Sequence, residues 1–260
     1  MDDLLSGVDQ IEEGKVFVSE MINLMESAGL SLRKWNSNCS EILSNIPEHL
    51  RDDRSLLHLD SSSPVVKTLG LVWELTTDSF QYKTPKWSSA ATITKRSVLS
   101  DVSRLFDSLG LVGPVIVQAK IFIQELWKRQ CGWDEPLPAE LQGQWQDYRT
   151  SLRGLEGLAV PRWVGYSKIR SMEFHGFCDA SEKAYGACIY VRSISSCGSV
   201  EVHLLISKSR MAPLENLKRK MKKQSIPRLE LSAALLLAHL YEKSFQALTS
   251  KPSRTFGQTP

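Results

Sequence analysis

Two short stretches near the C-terminal end of the chain each place one carboxylate where it could bind a divalent cation. Asp179 lies in Gly176-Phe177-Cys178-Asp179-Ala180-Ser181, and Glu230 lies in Ile226-Pro227-Arg228-Leu229-Glu230-Leu231. Carboxylate oxygens are the hard ligands that Mg²⁺ prefers, and bound Mg²⁺ activates water for attack on a phosphodiester. No second aspartate follows Asp179, whereas a site for two cations about 4 Å apart is usually built from more than two carboxylates.

The elements that carry these two carboxylates can be read from periodicity. Residues 172–178, 186–192 and 200–207 have the composition of strands separated by short turns, and residues 229–248 form a long apolar helix after Ile226-Pro227. Three antiparallel strands followed by a helix would bring Asp179 and Glu230 together over the sheet. The alternative is purely structural: Asp179 caps a turn, and Glu230 stabilises the first turn of the helix electrostatically.

The N-terminal third alternates between helical and extended patterns. A capping box of Asp9 and Glu12 opens an amphipathic helix that stops at Gly29, and residues 30–35 alternate as a strand does. Residues 36–64 are polar and predict a loop with short helical turns. Residues 65–73 and 79–82 predict a hairpin around Thr77-Asp78.

The middle of the chain is helical by pattern. Residues 97–130 predict two helices, with Val98, Val102, Leu105 and Phe106 on one face of the first, and residues 138–152 predict a third. Glycine and proline in residues 153–166 mark a boundary. Tryptophan spacing favours core packing over base stacking for Trp35, Trp73, Trp127, Trp133 and Trp145.

The composition is sufficient for buried hydrophobic cores, and the net charge is small. It has 260 residues, 42% of them apolar, and a net charge of +3. Its five cysteines lack zinc-ligand spacing. The sequence shows no signal peptide and no membrane span, so we expect an intracellular protein of the cytoplasm or nucleus.

One local run is strongly basic. It holds Lys218, Arg219, Lys220, Lys222 and Lys223. Such a run contacts nucleic-acid phosphates, directs nuclear import or forms a solvated loop, and the sequence leaves these alternatives open.

Longer strings around the two carboxylates resemble the RNase H region of Bel/Pao-type LTR retrotransposon polyproteins. These strings are Asp179-Ala180-Ser181 with Tyr185-Gly186-Ala187, residues 207–214, and residues 226–235. The resemblance implies that Asp179 and Glu230 are the first two metal ligands, that Mg²⁺ is the cofactor, and that an RNA–DNA hybrid or another nucleic acid is the partner.

Upstream strings resemble the same polyprotein in the same order. Asp2-Asp3-Leu4-Leu5-Ser6-Gly7 is similar to the end of the reverse transcriptase Tyr-x-Asp-Asp motif, which makes Asp2 and Asp3 remnants of a polymerase site. Residues 69–73 are similar to the primer-grip hairpin. Residues 94–100, 106–111 and 125–138 are similar to the thumb and connection.

The resemblance implies an α+β fold with four parts. Residues 1–90 are the C-terminal part of a reverse-transcriptase palm, residues 91–165 are thumb and connection helices, residues 166–250 are a partial RNase H-like mixed sheet with its helix, and residues 251–260 are a disordered tail. The family's other palm residues and its later Thr-Asp-Ser strand have no counterpart in the sequence. We therefore expect a truncated, catalytically incomplete Pol fragment, with a sheet edge open to pairing with another chain.

A non-catalytic nucleic-acid-binding or assembly module is the main alternative, and a pseudogene product without a role is another. The family is sometimes labelled a peptidase, of the A17 type. Asp107-Ser108-Leu109-Gly110 departs from the Asp-Thr/Ser-Gly loop of aspartic peptidases, and the sequence has no second such loop.

Overall fold

The structure is a computed structural model, and it describes residues 4–8, 10–52, 65–68, 71–84, 87, 92–164, 169–214 and 224–249. It divides into two compact units. The first holds Met1–Thr84 and Arg153–Trp163, and the second holds Pro85–Leu152 and Val164–Pro260. Helices and strands are both present, which confirms the α+β class. Asp2, Asp3, Asp9, the basic run at residues 218–223 and the expected tail at residues 251–260 lie outside the described residues.

The helical part of the first unit begins with α1, Ile11–Ser27. It ends where predicted, because Gly29 has a φ of 73° and the Leu30 amide donates back to the Met25 carbonyl. Helix α2, Ser40–Ser44, and a 3₁₀ turn, Glu48–Leu50, supply the packing partners of Val18. The predicted strand at residues 30–35 is wrong: Lys34 has a φ of 59°, and only an isolated bridge joins Trp35 to Arg51.

A four-stranded antiparallel sheet forms the rest of the first unit. Its strands are β1, Val65–Thr68, β2, Leu71–Glu74, β3, Ser79–Gln81, and β4, Ala159–Pro161, in that spatial order. The predicted hairpin is confirmed for β2 and β3, but the single strand predicted over residues 65–73 is wrong, because β1 and β2 are separate strands that pair with each other. The β2–β3 turn is held by the Glu74 carboxylate, which accepts from the Thr76 and Thr77 amides at 3.0 and 2.7 Å. Strand β4 was not predicted, since three residues are too few to show a period.

Three helices open the second unit. They are α3, Lys95–Ser103, α4, Gly113–Lys128, and α5, Ala139–Ser151, close to the predicted spans. Thr94 and Ser97 form a capping box at the start of α3. The helices bury Val98, Ala119, Leu126, Leu141 and Trp145 in a common core. The prediction for Phe106 is wrong, because α3 ends at Ser103 and Phe106 is exposed.

The five tryptophans predicted for the core differ in burial, and Trp35 is partly buried against the cluster of Val18. Trp73 and Trp145 are buried, as expected, but Trp127 and Trp133 are 51% and 42% exposed. Their rings meet edge to face at 5.5 Å, and the Lys95 ammonium lies 3.4 Å from the Trp127 centroid. The core prediction for these two rings is therefore wrong: they cover a buried lysine and leave their outer faces to solvent.

A three-stranded sheet and a long helix complete the second unit. The strands β5, Ile169–Ala180, β6, Ala184–Ser195, and β7, Val200–Met211, form an antiparallel meander in the order β5-β6-β7. Helix α6, Ile226–Thr249, packs on β5 and β6. The meander and the helix are confirmed. The expected mixed sheet is not found, because every strand pairing among the described residues is antiparallel. A parallel pair would need a further strand after a crossover connection such as α6.

The turn between α3 and α4 lies against β7. The Asp107 carboxylate accepts from the Leu111 and Val112 amides at 2.8 and 3.0 Å, and the Ser207 amide donates to the Leu109 carbonyl at 2.8 Å. Asp107, the aspartate of the peptidase alternative, therefore holds a turn together.

Candidate functional site

Asp179 is the next-to-last residue of β5 and its side chain is exposed. Its neighbours show which face of the sheet it occupies. Phe177 contacts Tyr190 at 6.0 Å between ring centroids, and Glu173 accepts from Arg192 at 3.0 Å. These odd-numbered residues of β5 lie on one face. Strand alternation puts Asp179 on that face too.

Helix α6 covers the opposite face and runs antiparallel to β5. Phe174 meets Tyr241 at 6.1 Å between ring centroids, and a Cβ added to Gly176 would lie 2.8 Å from Leu237. Glu230 is seven residues before Leu237, which is about 10 Å along a helix. Asp179 is three residues after Gly176, which is about 10 Å along a strand. The two carboxylates therefore reach the same end of β5.

They reach that end from opposite faces of the sheet. Glu230 is on the α6 side, whereas Asp179 belongs to the face that bears Phe177. A cation that contacts both would thus lie beside the outer edge of β5, not over the sheet as the sequence suggested. Within the described residues, that edge has no partner strand.

The structural explanations for both carboxylates fail. The β5–β6 turn is capped by Ser181, whose Oγ accepts from the Ala184 amide at 3.2 Å and donates to the Ala184 carbonyl at 3.0 Å. Helix α6 begins at Ile226, so Glu230 is in its second turn, and the first turn holds no acidic residue. Glu230 is exposed as well.

The carboxylates that hold this fold together are hydrogen-bonded, and Asp179 and Glu230 are not among them. Asp78 accepts from Arg162 at 2.6 Å, and Asp101 accepts from Trp145 at 3.1 Å. Across the described part of the chain, neither the Asp179 nor the Glu230 side chain has a hydrogen bond or an ion pair. Both remain available to a ligand.

The donor set fits Mg²⁺ in type but is small. Two exposed carboxylates supply hard oxygen ligands, and Mg²⁺ retains several waters when it binds so few. No group of three or more His, Cys, Asp or Glu that could hold a metal occurs in the described ranges. Asp179 and Glu230 would thus hold a hydrated cation.

The other candidate residues are placed only in part. Asp2, Asp3 and the run Lys218, Arg219, Lys220, Lys222 and Lys223 lie outside the described residues. The segment with the run connects β7 to α6, and Arg210 and Arg228 stand on these elements on either side of it. Sequence reasoning did not single out these two arginines.

One protein family matches the larger part of the chain. Residues 94–258 match the family described as the Pao retrotransposon-like RNaseH-like domain, which is more than half of the chain. The chain belongs to this family. No curated protein matches it.

The match to the Pao RNaseH-like domain also covers the helices. It starts at Thr94, the residue that caps α3, and continues through α6. Asp179 and Glu230 both lie inside it. Helices α3 to α5, which resembled a thumb and connection, are thus part of the matched Pao RNaseH-like region.

Among the helices that the structure describes, none has the length and apolar character of a membrane span.

Proposed function

We propose that this chain is a Pol-derived, RNase H-like module that binds RNA–DNA hybrids, and that Asp179 and Glu230 are its Mg²⁺ ligands. One observation carries the proposal: two exposed carboxylates without a structural role reach the same end of β5 in a chain of the Pao RNaseH-like family. Such a hybrid is an intracellular substrate, so the expected cytoplasmic or nuclear location belongs to the same proposal.

Bound Mg²⁺ would supply positive charge beside the scissile phosphate and lower the pKa of its water. Asp179 and Glu230 would hold the cation at the edge of β5 and offset part of its charge. The described part of the chain contributes only these two carboxylates, and a site for two cations needs more. We therefore expect hybrid binding to be stronger than any turnover.

For the remainder of the chain, the proposal keeps the reverse-transcriptase origin. The β2–β3 hairpin would derive from the palm, with Asp2 and Asp3 as remnants of the polymerase motif, and α3 to α5 would derive from the thumb and connection. Support comes from the resemblance of these strings and from the confirmed hairpin.

The test is cleavage of a labelled RNA–DNA hybrid in Mg²⁺ and in EDTA, together with a titration of Mn²⁺ followed by its electron paramagnetic resonance signal. Asp179→Asn and Glu230→Gln should each weaken cation binding at least tenfold and remove any cleavage. Glu242→Gln is the matched control, because Glu242 is exposed on the same helix. Unchanged cation binding in both site variants would refute the assignment.

A second candidate is a non-catalytic nucleic-acid-binding or assembly module. It is favoured by the outer edge of β5, a twelve-residue strand with a partner on one side only in the described sheet. A free edge of this length offers unpaired amides and carbonyls to another chain. Sedimentation velocity tests this candidate, since edge pairing predicts a mass that doubles with concentration. A constant monomer mass up to 100 µM, roughly the affinity of a weak pair, would rule out self-pairing.

A further inference from the structure

Two cations of β7 lie on the same face of the sheet as α6. Lys208 is directly opposite Ala187, and Arg210 is directly opposite Tyr185. Ala187 and Tyr185 both pack in the cluster that contains Leu236 and Leu240 of α6. Directly opposed residues of an antiparallel pair point to the same face, so Lys208 and Arg210 lie beside the helix.

Helix α6 also carries basic residues on its flank toward β7. Leu237 and Tyr241 face β5, as their contacts with Gly176 and Phe174 show. Successive helix residues are about 100° apart, which puts a different set on the flank toward β7. That set is Arg228, Ser232, His239 and Lys243.

Four cations therefore share one surface, the basic strip, defined as Lys208, Arg210, Arg228 and Lys243. All four are exposed. Within the described ranges, none of them has an ion pair or a side-chain hydrogen bond. By contrast, five arginines elsewhere each contact a carboxylate, namely Arg96, Arg129, Arg149, Arg162 and Arg192. Among the residues that the structure describes, the strip is thus a patch of positive charge without ion-pair partners.

Its dimensions suit a nucleic-acid backbone. Arg228 and Lys243 are fifteen residues apart on the helix, or about 22 Å, and phosphates on one strand of a duplex advance by about 3.4 Å per base pair. The strip therefore spans about six base pairs by these two rises. Lys208 and Arg210 are about 7 Å apart along β7, close to the advance over two base pairs.

The strip also lacks the residues that bind single strands. Proteins that bind single-stranded nucleic acid stack bases on exposed aromatic rings. None of the strip residues is aromatic, and Tyr241 and Phe245 lie on the opposite flank, where they contact Phe174. These features favour contact with the sugar-phosphate backbone of a duplex.

We propose that the basic strip binds consecutive phosphates of a duplex and positions an RNA–DNA hybrid across α6, with Glu230 on the other flank of the helix and Asp179 at the end of β5. This inference rests on the proposed function, because it assigns the substrate-positioning surface of the same module. It adds residues that neither the family description nor the two carboxylates identify.

The experiment measures binding of a fluorescently labelled RNA–DNA hybrid by anisotropy, in EDTA, between 50 and 200 mM salt, a range over which four phosphate contacts change the affinity by roughly a hundredfold. The strip variant replaces Lys208, Arg210, Arg228 and Lys243 with Gln. Each phosphate contact contributes about 0.9 to the slope of log K against log salt. We expect the slope to fall by about 3.6 and the affinity to fall at least tenfold.

A control variant with the same loss of charge replaces Arg33, Lys83, Arg104 and Lys128 with Gln, since these four are also exposed. It should retain most of the slope. Circular dichroism checks that both variants fold. An unchanged slope in the strip variant, an equal loss in the control, or single-stranded DNA bound as tightly as hybrid would each overturn the proposal.

Failure of the metal assignment gives a different pattern. Because binding is measured in EDTA, it does not depend on Asp179 or Glu230. Asp179→Asn should bind hybrid like the unaltered protein, and the strip variant should bind Mn²⁺ like the unaltered protein. Loss of hybrid binding in Asp179→Asn would contradict the separation of the two surfaces.

Discussion

The aspartates of this chain differ in burial and hydrogen bonding, and these differences separate structural aspartates from candidate ligands. Asp101 is buried and accepts from Trp145 Nε1 at 3.1 Å and from Arg149 Nε at 2.9 Å. Asp179 is exposed and, among the described residues, unpaired. Replacement of Asp101 should therefore cost stability, whereas replacement of Asp179 should cost only cation binding.

The prediction for Asp101 concerns the free energy of unfolding. Asp101→Ala leaves Arg149, whose side chain is only 15% exposed, without its carboxylate. Removal of one partner from a buried pair costs about 3 kcal/mol or more, and urea unfolding would measure this. Asp134→Ala removes the carboxylate of Arg96 on the surface and should lower stability far less. Equal losses would show that Asp101 is not a buried anchor.

Cys197, the cysteine of the β6–β7 turn, should be more acidic than an ordinary thiol. Hydrogen bonds from the Ser195 and Ser199 side chains to the sulfur lower the pKa of Cys197 to about 7. The thiolate is the reactive form, so the alkylation rate of Cys197 should rise through about pH 7. Peptide mass spectrometry measures this rate. Ser195→Ala should move the midpoint upward, and Ser196→Ala, which lacks such a contact in the described structure, should leave it unchanged. An unchanged midpoint in Ser195→Ala would show that the Ser195 hydrogen bond does not lower the pKa of Cys197.

At the scale of single residues, local strings point to candidates but miss sets that only the fold assembles. The role of Asp179 and Glu230 stays a prediction, although the two were identified as candidates from the strings around them. The basic strip was not, because Lys208, Arg210, Arg228 and Lys243 come from two elements and meet only when α6 packs on the sheet. Trp127 and Trp133 were assigned to the core because helical spacing does not reveal that a buried Lys95 fills the space beneath them.

At the scale of elements, the turn before α4 shows how closely two backbones approach. Gly110 has a φ of 73°, and a Cβ added to it would lie 2.0 Å from the Ser207 carbonyl oxygen of β7. The Ser207 hydroxyl donates to the Gly110 carbonyl. No side chain fits between this turn and β7.

Gly110→Ala should therefore destabilise the second unit strongly. The left-handed backbone alone costs an alanine about 1 kcal/mol, and the backbone clash adds to it, for a total of about 3 kcal/mol or more by analogy with overpacked cores. Gly29→Ala is the control, since Gly29 has the same φ and an added Cβ meets nothing within 4 Å. Thermal unfolding monitored by circular dichroism compares the two. Similar shifts would mean that the turn can move away from β7.

Long periodic elements could be predicted from sequence, and short ones could not. Helices α3 to α6 and the β5–β7 meander were predicted because each repeats its pattern over many residues. Strand β4 has three residues and depends on pairing with β3, which sequence order places far away. The strand predicted at residues 30–35 failed because alternation alone does not supply a neighbour to pair with.

At the scale of the molecule, the first unit depends on a segment that is distant in sequence. Strand β4 pairs with β3, and Arg162, just after β4, donates to Asp78 at 2.6 and 2.9 Å. Asp78 also accepts from Trp73 Nε1 at 2.9 Å. This contact fastens the end of the segment to the β2–β3 turn.

Arg162→Met should weaken the first sheet locally. Hydrogen bonds to a charged group contribute about 2 kcal/mol, so hydrogen exchange of the amides in β2 and β3 should accelerate by roughly tenfold or more. Amides of β6, which belong to the second unit, serve as the internal control. Equal acceleration in β6 would indicate that the loss is global.

The late arrival of β4 has a consequence for synthesis on the ribosome. Seventy-seven residues separate Gln81 of β3 from Ala159 of β4, and they contain α3, α4 and α5. Joining the ends of a loop this long costs about 4 kcal/mol of chain entropy. The nascent chain must carry an open β3 edge while these helices emerge. The sheet of the first unit, although β1 to β3 are translated before these helices, thus closes only after them.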